Sequence, residues 1–395
     1  MISVEEALHL VLQHKATLAP EEVPLSQALD RVLAQEVLAD RDFPPFDRVT
    51  MDGIALRAEE VQAGTTTFHV TGVQAAGAPG MALGEPGTCL EVMTGAMLPQ
   101  GATAVVPYES CSFLGHEAYI LAEQVLPGQN IHKQGSDSKA GEVVVTRGTR
   151  ITSAVVSALA TEGRAQVQVL SLPRVAICST GDELVPIAQH PLPHQIRQSN
   201  GFMLAAALQE ENITASLYHL PDSAAEMKES LVSILQEHEV VLLSGAVSKG
   251  KFDFLPQVLE ELGLQLVFHK IAQKPGKPML FGTMPGQRVV FGFPGNPVST
   301  FVCYHLYFKP WLQASLGLPT AQAWAQLDQD VSFKPALTYH LPVVLHNQSG
   351  CLRATPVTST GSGDLTSLLK ATAYLSLPAH QTTFREGEVF PVTLI

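Results

Sequence analysis

The sequence predicts an α/β multidomain protein built around a doubly wound, mostly parallel sheet. Three observations predict it. From Arg174 to about Leu316, short apolar runs alternate with helix-length amphipathic segments, which is the signature of a sheet covered by helices on both faces. From about residue 50 to 148, glycine recurs every few residues between short apolar runs, as in a β-rich domain. From about 330 to the end, short β segments return.

The elements follow in order. Ser3 and Glu6 form a capping box that opens a helix running to about His14. A second short helix is expected over 26–35, before the proline-rich turn at 42–46. Strands are expected at 67–70, 88–93, 104–106, 118–121 and 142–145. Thr152 caps a helix over 153–160 that stops near Gly163. In the alternating region, strands are expected at 174–178, 214–220, 240–243, 264–269 and 289–291. Helices are expected at 200–209, from Ser223 boxed by Glu226 to about Gln236, at 255–262 and at 297–316. The tail offers strands at 341–345, 373–377 and 389–394. The domains expected are a helical linker region (1–45 with 146–172), a glycine-rich β domain (46–145), the α/β domain (173–325) and a small C-terminal β domain (326–395).

Composition narrows the class. With 24 Lys and Arg against 37 Asp and Glu, the net charge is −13; nucleic acid, which needs a basic stripe, is a poor partner. Charged residues are 15% and apolar ones 46%, enough for sizeable cores and against long disordered tails. The five cysteines form no C-x-x-C pair, which fits reduced thiols and a cytoplasmic chain. His190 and His194 sit among Pro191 and Pro193 and read as loop residues, not metal ligands. No apolar run is long enough to span a bilayer, and the N-terminus lacks the pattern of a signal peptide.

In open α/β sheets, ligands bind beyond the carboxyl ends of the strands. At that edge fall Thr180, Gly181, Asp182 and Glu183, then Asp222, then Ser244, Gly245, Ser248 and Asp253. Lys270, Lys274 and Lys277 follow the next strand, and Pro294, Gly295, Asn296 and Pro297 the last. Glycines bare backbone N–H groups to an anion. The lysines supply positive charge for phosphate or an oxyanion, and the helix from Pro297 adds its positive end. The carboxylates, with phosphates, suit Mg²⁺. T-G-D-E-L at 180–184 and K-P-G-K-P at 274–278 are thus expected to face each other. Taken singly, each such loop is more often a turn or a helix start; their shared edge argues for a site.

These loops, with M-D-G at 51–53, M-T-G-A at 93–96 and P-G-N-P-V-S at 294–299, resemble the MoeA family, molybdopterin molybdenumtransferases related to the gephyrin E domain. The resemblance implies a MogA-like α/β domain and Mg²⁺-dependent insertion of molybdate into adenylylated molybdopterin, with release of AMP. It implies catalytic roles for Glu183, Asp52, Asp137, Lys270 and Lys274. Substrate contacts are implied at Thr94, Asp222, Asp253, Lys277, Pro294, Pro297 and Ser362, beside the loop residues Thr180, Gly181, Asp182, Ser244, Gly245, Ser248, Gly295 and Asn296. Glu183, Asp222 and Asp253 are the expected Mg²⁺ ligands. Alone, Asp52 and Thr94 would read as turn residues beside glycines. The chain departs from the family pattern at Ala246 (glycine), Gln198 (aspartate), Ser223 (aspartate) and the stretch from His132 to Gln134 (arginine-rich).

The resemblance further implies a homodimer and contacts with other cofactor-synthesis proteins. Two other readings remain. One is a non-catalytic scaffold, as the gephyrin E domain also binds a receptor peptide. The other is an enzyme that adenylylates molybdopterin, which the extra domains disfavour.

Overall fold

The computed structural model describes residues 1–245 and 254–395. They form two compact units: Met1–Glu22, Asp30–Ala34 and Gln168–Ile395 in one, Val23–Leu29 and Gln35–Val167 in the other.

The larger unit holds the doubly wound sheet. Its strands are β1 (Val175–Thr180), β2 (Ser216–Leu220), β3 (Val240–Ser244), β4 (Gln265–His269), β5 (Leu280–Met284) and β6 (Arg288–Phe293), in the order β2-β1-β3-β6-β5-β4. The first four in that order are parallel; β5 runs antiparallel to both its neighbours. Side chains alternate between faces, as the period of two requires. Val175 and Ile177, Val240 and Leu242, Val289 and Phe291 enter one core. Ala176 and Cys178, Val241 and Leu243, and Val290 enter the other. The first core is closed by the helix Asn200–Glu210, by the helical run that starts at Pro297, and by the N-terminal helix Val4–Gln13 through Ala7 and Val11. The second is closed by Ala224–Glu237 and Leu255–Glu261.

Several expectations need correction. The sequence reading had no strand at β5. It pairs with β6 as a hairpin across Pro285, Gly286 and Gln287, the last two at positive φ. No helix covers 26–35. A short turn, Leu25–Gln27, is followed by Asp30 at φ 62°, and Leu33 then bridges Val169 while the Leu170 N–H donates to Val32. Strand partners far along the chain override local helix propensity there. Ser223 precedes the helix Ala224–Glu237 but makes no capping hydrogen bond. The run expected as one helix over 297–316 is α-helical at Pro297–Cys303, wider at Tyr304–Phe308 and α-helical again at Lys309–Ser315. Pro310 accounts for this, because its ring cannot sit against the carbonyl four residues back in a regular α-helix.

The C-terminal strands close on themselves. Ala323–Leu327 (β7), Thr338–Gln348 (β8), Cys351–Pro356 (β9), Ala373–Leu377 (β10) and Val389–Leu394 (β11) form a ring, β8-β9-β7-β11-β10 and back to β8. Closure leaves no edge within the ring. Outside it, Gln273–Lys274 pairs with Thr338 and Tyr339 of β8. Gln273 is fully buried and joins three elements. Its carboxamide oxygen accepts from the Tyr307 hydroxyl at 2.5 Å and from His340 Nε2 at 3.3 Å, and its nitrogen donates to the Gly276 carbonyl at 3.1 Å. Burial pushes His340 down to about 3, so the ring is neutral at physiological pH.

The second unit carries its own six-stranded sheet, ordered Ala104–Pro107, Gly53–Leu56, Thr88–Val92, Thr67–Gln74, Glu117–Ile120 and Cys111–Leu114. Gly53 is required by close approach: a Cβ there would strike the Val106 carbonyl. The helix Ser153–Thr161 is capped by Thr152, as expected.

Replacing Gln273 by leucine leaves the Tyr307 hydroxyl and His340 without their shared acceptor. The expected loss is roughly 2–4 kcal/mol of unfolding free energy by urea titration; unchanged stability would contradict the hub.

Candidate functional site

β1, β3 and β6 end level, because Ser179 is in register with Ser244 and Ser244 with Phe293. The strand order reverses between β1 and β3. Beyond those ends lies a cavity of about 900 Å³, where the topological rule puts a ligand.

The acidic loop forms one side. The Leu184 N–H returns to the Gly181 carbonyl at 3.2 Å, and Leu184–Val185 then pairs with Ile196–Arg197. This brings Glu183, Arg197, Gln198 and Asn200 to the cavity lining with Thr180, Gly181 and Asp222. Asp182 and Asp222 hold each other reciprocally: each backbone N–H donates to the other's carboxylate, at 3.3 and 3.2 Å. Among the described residues no lysine or arginine pairs with either carboxylate.

Gly245 and the P-G-N-P turn form the opposite side. Gly245 has φ 101°, and a Cβ would lie 2.6 Å from Thr180 Oγ1, so only glycine fits. The Asn200 amide nitrogen donates to Ser244 Oγ at 2.9 Å and to the Gly295 carbonyl at 2.7 Å, and it lies 3.4 Å from Thr300 Oγ1. Asn296 donates to Ser362 Oγ at 2.8 Å, and Val298 N–H to the Ser362 carbonyl at 3.1 Å. The loop from Ser362 thereby reaches the cavity, which Gly363 and Leu365 also line.

The lysines stand differently from the sequence expectation. Lys270, Lys274 and Lys277 do not line the cavity; their loop reaches it through Pro278. Lys270 is at φ 82°, its N–H bonded to the Met279 carbonyl. Lys274 has joined the barrel, its ammonium 5.6 Å from the Phe333 ring centroid. Lys277 is exposed. The buried Gln273 next to Lys274 dictates this, since it commits the segment to the barrel. Among the described residues the cationic side chain that lines the cavity is Arg197. Its Nε donates to the Gln189 carbonyl at 3.1 Å.

Ser248 and Asp253 lie outside the described residues, as does Ala246. Among the described residues no three His, Cys, Asp or Glu side chains converge as a metal site. The side-chain oxygen donors among the described residues that line the cavity are carboxylates, amides and hydroxyls, with no thiol or imidazole among them, the ligand chemistry of Mg²⁺. Cys178 is buried and its thiol is pushed up to about 12 by desolvation, which suits packing and not nucleophilic attack.

In the second unit, Asp52 Oδ1 accepts from both the Thr94 hydroxyl (2.7 Å) and the Thr94 N–H (2.6 Å). These bonds hold the exposed Asp52 carboxyl below the usual range. Asp137 accepts from His132 Nε2 at 2.8 Å, and His132 Nδ1 lies 3.0 Å from the Arg48 guanidinium. Lys133 pairs with Asp47 at 2.8 Å. The strand pair Ile131–His132 and Arg48–Val49 carries this cluster.

Three family profiles match along the chain: the MoeA N-terminal region (domain I and II) over residues 2–163, the probable molybdopterin binding domain over 176–314, and the MoeA C-terminal region (domain IV) over 325–395. The molybdopterin molybdenumtransferase of Synechocystis is 39% identical, across 99% of both chains. The chain belongs to the MoeA family. The molybdopterin molybdenumtransferase of Bacillus subtilis is 34% identical over 100% of this chain and 94% of its own. The molybdopterin biosynthesis MoeA protein of Pyrococcus horikoshii superposes with a TM-score of 0.84 at 32% identity, over 100% of this chain and 99% of its own. No described helix is long and apolar enough to cross a membrane.

Within this MoeA chain, sequence reasoning missed Arg197 and the clasp made by Asn200. Both lie in Q-I-R-Q-S-N at 195–200, which has no glycine to mark it. The available signal was a polar, basic stretch just before a helix on the sheet's carboxyl side.

Thr94→Val removes the hydroxyl donor to Asp52. The Asp52 pKa is then expected to rise toward the ordinary carboxylate value in a carbon-13 NMR titration; no movement would remove Thr94 as its cause.

Proposed function

We propose that this chain inserts molybdate into adenylylated molybdopterin in a Mg²⁺-dependent reaction that releases AMP. The family's named activity, molybdenum transfer to molybdopterin, makes it a transferase of molybdenum cofactor biosynthesis. The observation that carries the finer reading is the Asp182–Asp222 pair at the level strand ends, which no lysine or arginine among the described residues neutralises, with Glu183 and Arg197 at the same cavity. A diphosphate-linked substrate with a divalent cation satisfies both signs of charge at once.

Glu183 and Asp222, with Asp253, would hold Mg²⁺ here. The ion supplies charge neutralisation for the diphosphate oxygens. Arg197 supplies a planar, permanently charged donor for phosphate oxygens. The Gly181 and Gly245 loops admit substrate close to backbone, and Asn200 keeps the Ser244 and Gly295 loops at fixed separation. Such positioning reduces the entropy lost on the way to the transition state. Lys270, Lys274 and Lys277 stay in the proposal as anion contacts during turnover, Ser362 and Thr94 as substrate contacts, and Asp52 and Asp137 of the second unit as catalytic groups. A homodimer is part of the same proposal, and sedimentation at assay concentration tests it.

With adenylylated molybdopterin, molybdate and Mg²⁺, the protein is expected to release AMP. Glu183→Ala is expected to lower turnover by about 10²-fold or more, and Lys274→Ala to lower it less. Normal turnover in both variants would sink the site assignment; absence of AMP release by the unaltered protein would sink the reaction.

A further inference from the structure

In the second unit the strand Ile131–His132 pairs antiparallel with Arg48–Val49, and His132 stands directly opposite Arg48. Directly opposite residues share a face, so these two side chains meet. The neighbouring residues Asp47 and Lys133 fall on the other face, by the period of two, and pair there at 2.8 Å. The chain that follows is pinned by its backbone. The Gln134 N–H donates to Asp47 Oδ1 at 2.9 Å, the Gly135 N–H to the Pro44 carbonyl at 3.0 Å, and the Asp137 N–H to the Phe43 carbonyl at 2.9 Å. Asp137 is thereby delivered beside His132.

The protons on this face follow from the chemistry of the three groups. A guanidinium has donors and no acceptor, so Arg48 donates across the 3.0 Å to His132 Nδ1. Nδ1 is then the bare nitrogen, because a proton there would meet the guanidinium hydrogens donor to donor. The ring proton sits on Nε2, which donates to Asp137 Oδ1 at 2.8 Å. Ser136 Oγ lies 3.4 Å from the same oxygen. Among the described residues Asp137 Oδ2 has no hydrogen-bond partner, and the Asp137 side chain is 45% exposed. Both bonds run one way, from guanidinium through imidazole to carboxylate.

We propose that Arg48 is a positioning residue of this enzyme: by fixing the tautomer of His132 it holds the Asp137 carboxylate in one orientation, with Oδ2 left open for the reaction. The inference rests on the proposed function, in which Asp137 is a catalytic group. An arginine in direct contact would engage both carboxylate oxygens in a fork. The neutral ring acts as a spacer instead. It offers a single N–H, which occupies one oxygen, and the guanidinium charge behind it polarises that N–H and strengthens its bond. The carboxylate is oriented without being capped.

Nitrogen-15 NMR of histidine-labelled protein reads the tautomer, with His132→Gln assigning the signal. The unaltered protein is expected to show the Nε2–H form, and Arg48→Met a mixture of both tautomers. In steady-state AMP release, Arg48→Met is expected to lower kcat by about tenfold with KM little changed, as lost orientation does. His132→Gln keeps an acceptor for Arg48 and a donor for Asp137 and is expected to retain most of kcat. His132→Phe keeps a ring without nitrogens and is expected to fall as far as Arg48→Met, with the double variant no worse than either alone. A melting curve for each variant separates these effects from unfolding, and His132→Phe carries the test if Arg48→Met does not fold. An Nδ1–H tautomer in the unaltered protein would overturn the proposal, as would full kcat in folded Arg48→Met or equal losses in His132→Gln and His132→Phe. Normal turnover in Asp137→Asn would overturn it too and leave the proposed reaction standing, because AMP release by the unaltered protein tests that separately.

Discussion

The Asn200 side chain is the contact on which the cavity depends. One amide nitrogen reaches Ser244, Gly295 and Thr300. It therefore ties the start of one helix to the end of β3 and to the turn that opens another. The level register of β1, β3 and β6 makes this possible, because it brings the three loops within reach of one side chain. Among the described residues the buried amide oxygen has no partner, and the nitrogen's contacts hold the side chain in place. An unsatisfied buried acceptor costs about 1–3 kcal/mol. The fold tolerates that cost at the ligand cavity, where local rules are most often broken.

Around this clasp the two charged loops have separate duties. The acidic loop belongs to the cavity, its carboxylates set by backbone N–H groups at Asp182 and Asp222. The lysine loop is anchored elsewhere. Gln273 ties it to Tyr307 on the long helix and to His340 in the barrel, so the barrel and the sheet share a rigid joint. Among the described residues, positive charge at the cavity comes instead from Arg197, on the short strand that pairs with the acidic loop.

Much of this was legible in the sequence, and the limits have physical causes. T-G-D-E-L and P-G-N-P could be read because glycine permits backbone conformations closed to other residues and proline fixes its own φ, and such local preferences survive folding. The buried strands of the sheet were legible because β-branched runs bounded by turns have few alternatives. The segment 26–35 was misread because its leucines and alanines favour a helix, while its actual partner, Val169, lies more than 130 residues away. β5 was missed because Pro285, Gly286 and Gln287 form a tight hairpin inside what looked like a single loop and strand. The lysines were assigned to the cavity because charge and position in the chain suggested it. Their direction is decided by a buried glutamine whose partners no local pattern announces. Arg197 was overlooked because a charged residue outside a glycine loop looks like ordinary surface.

The central claim is that an anionic, metal-bridged substrate occupies the cavity at the strand ends. Hydrogen exchange with and without adenylylated molybdopterin and Mg²⁺ tests it most directly. The account predicts that slowed exchange concentrates in residues 180–184, 195–200 and 294–297. Protection confined to the barrel or to the glycine-rich sheet, with those three segments unchanged, would contradict it.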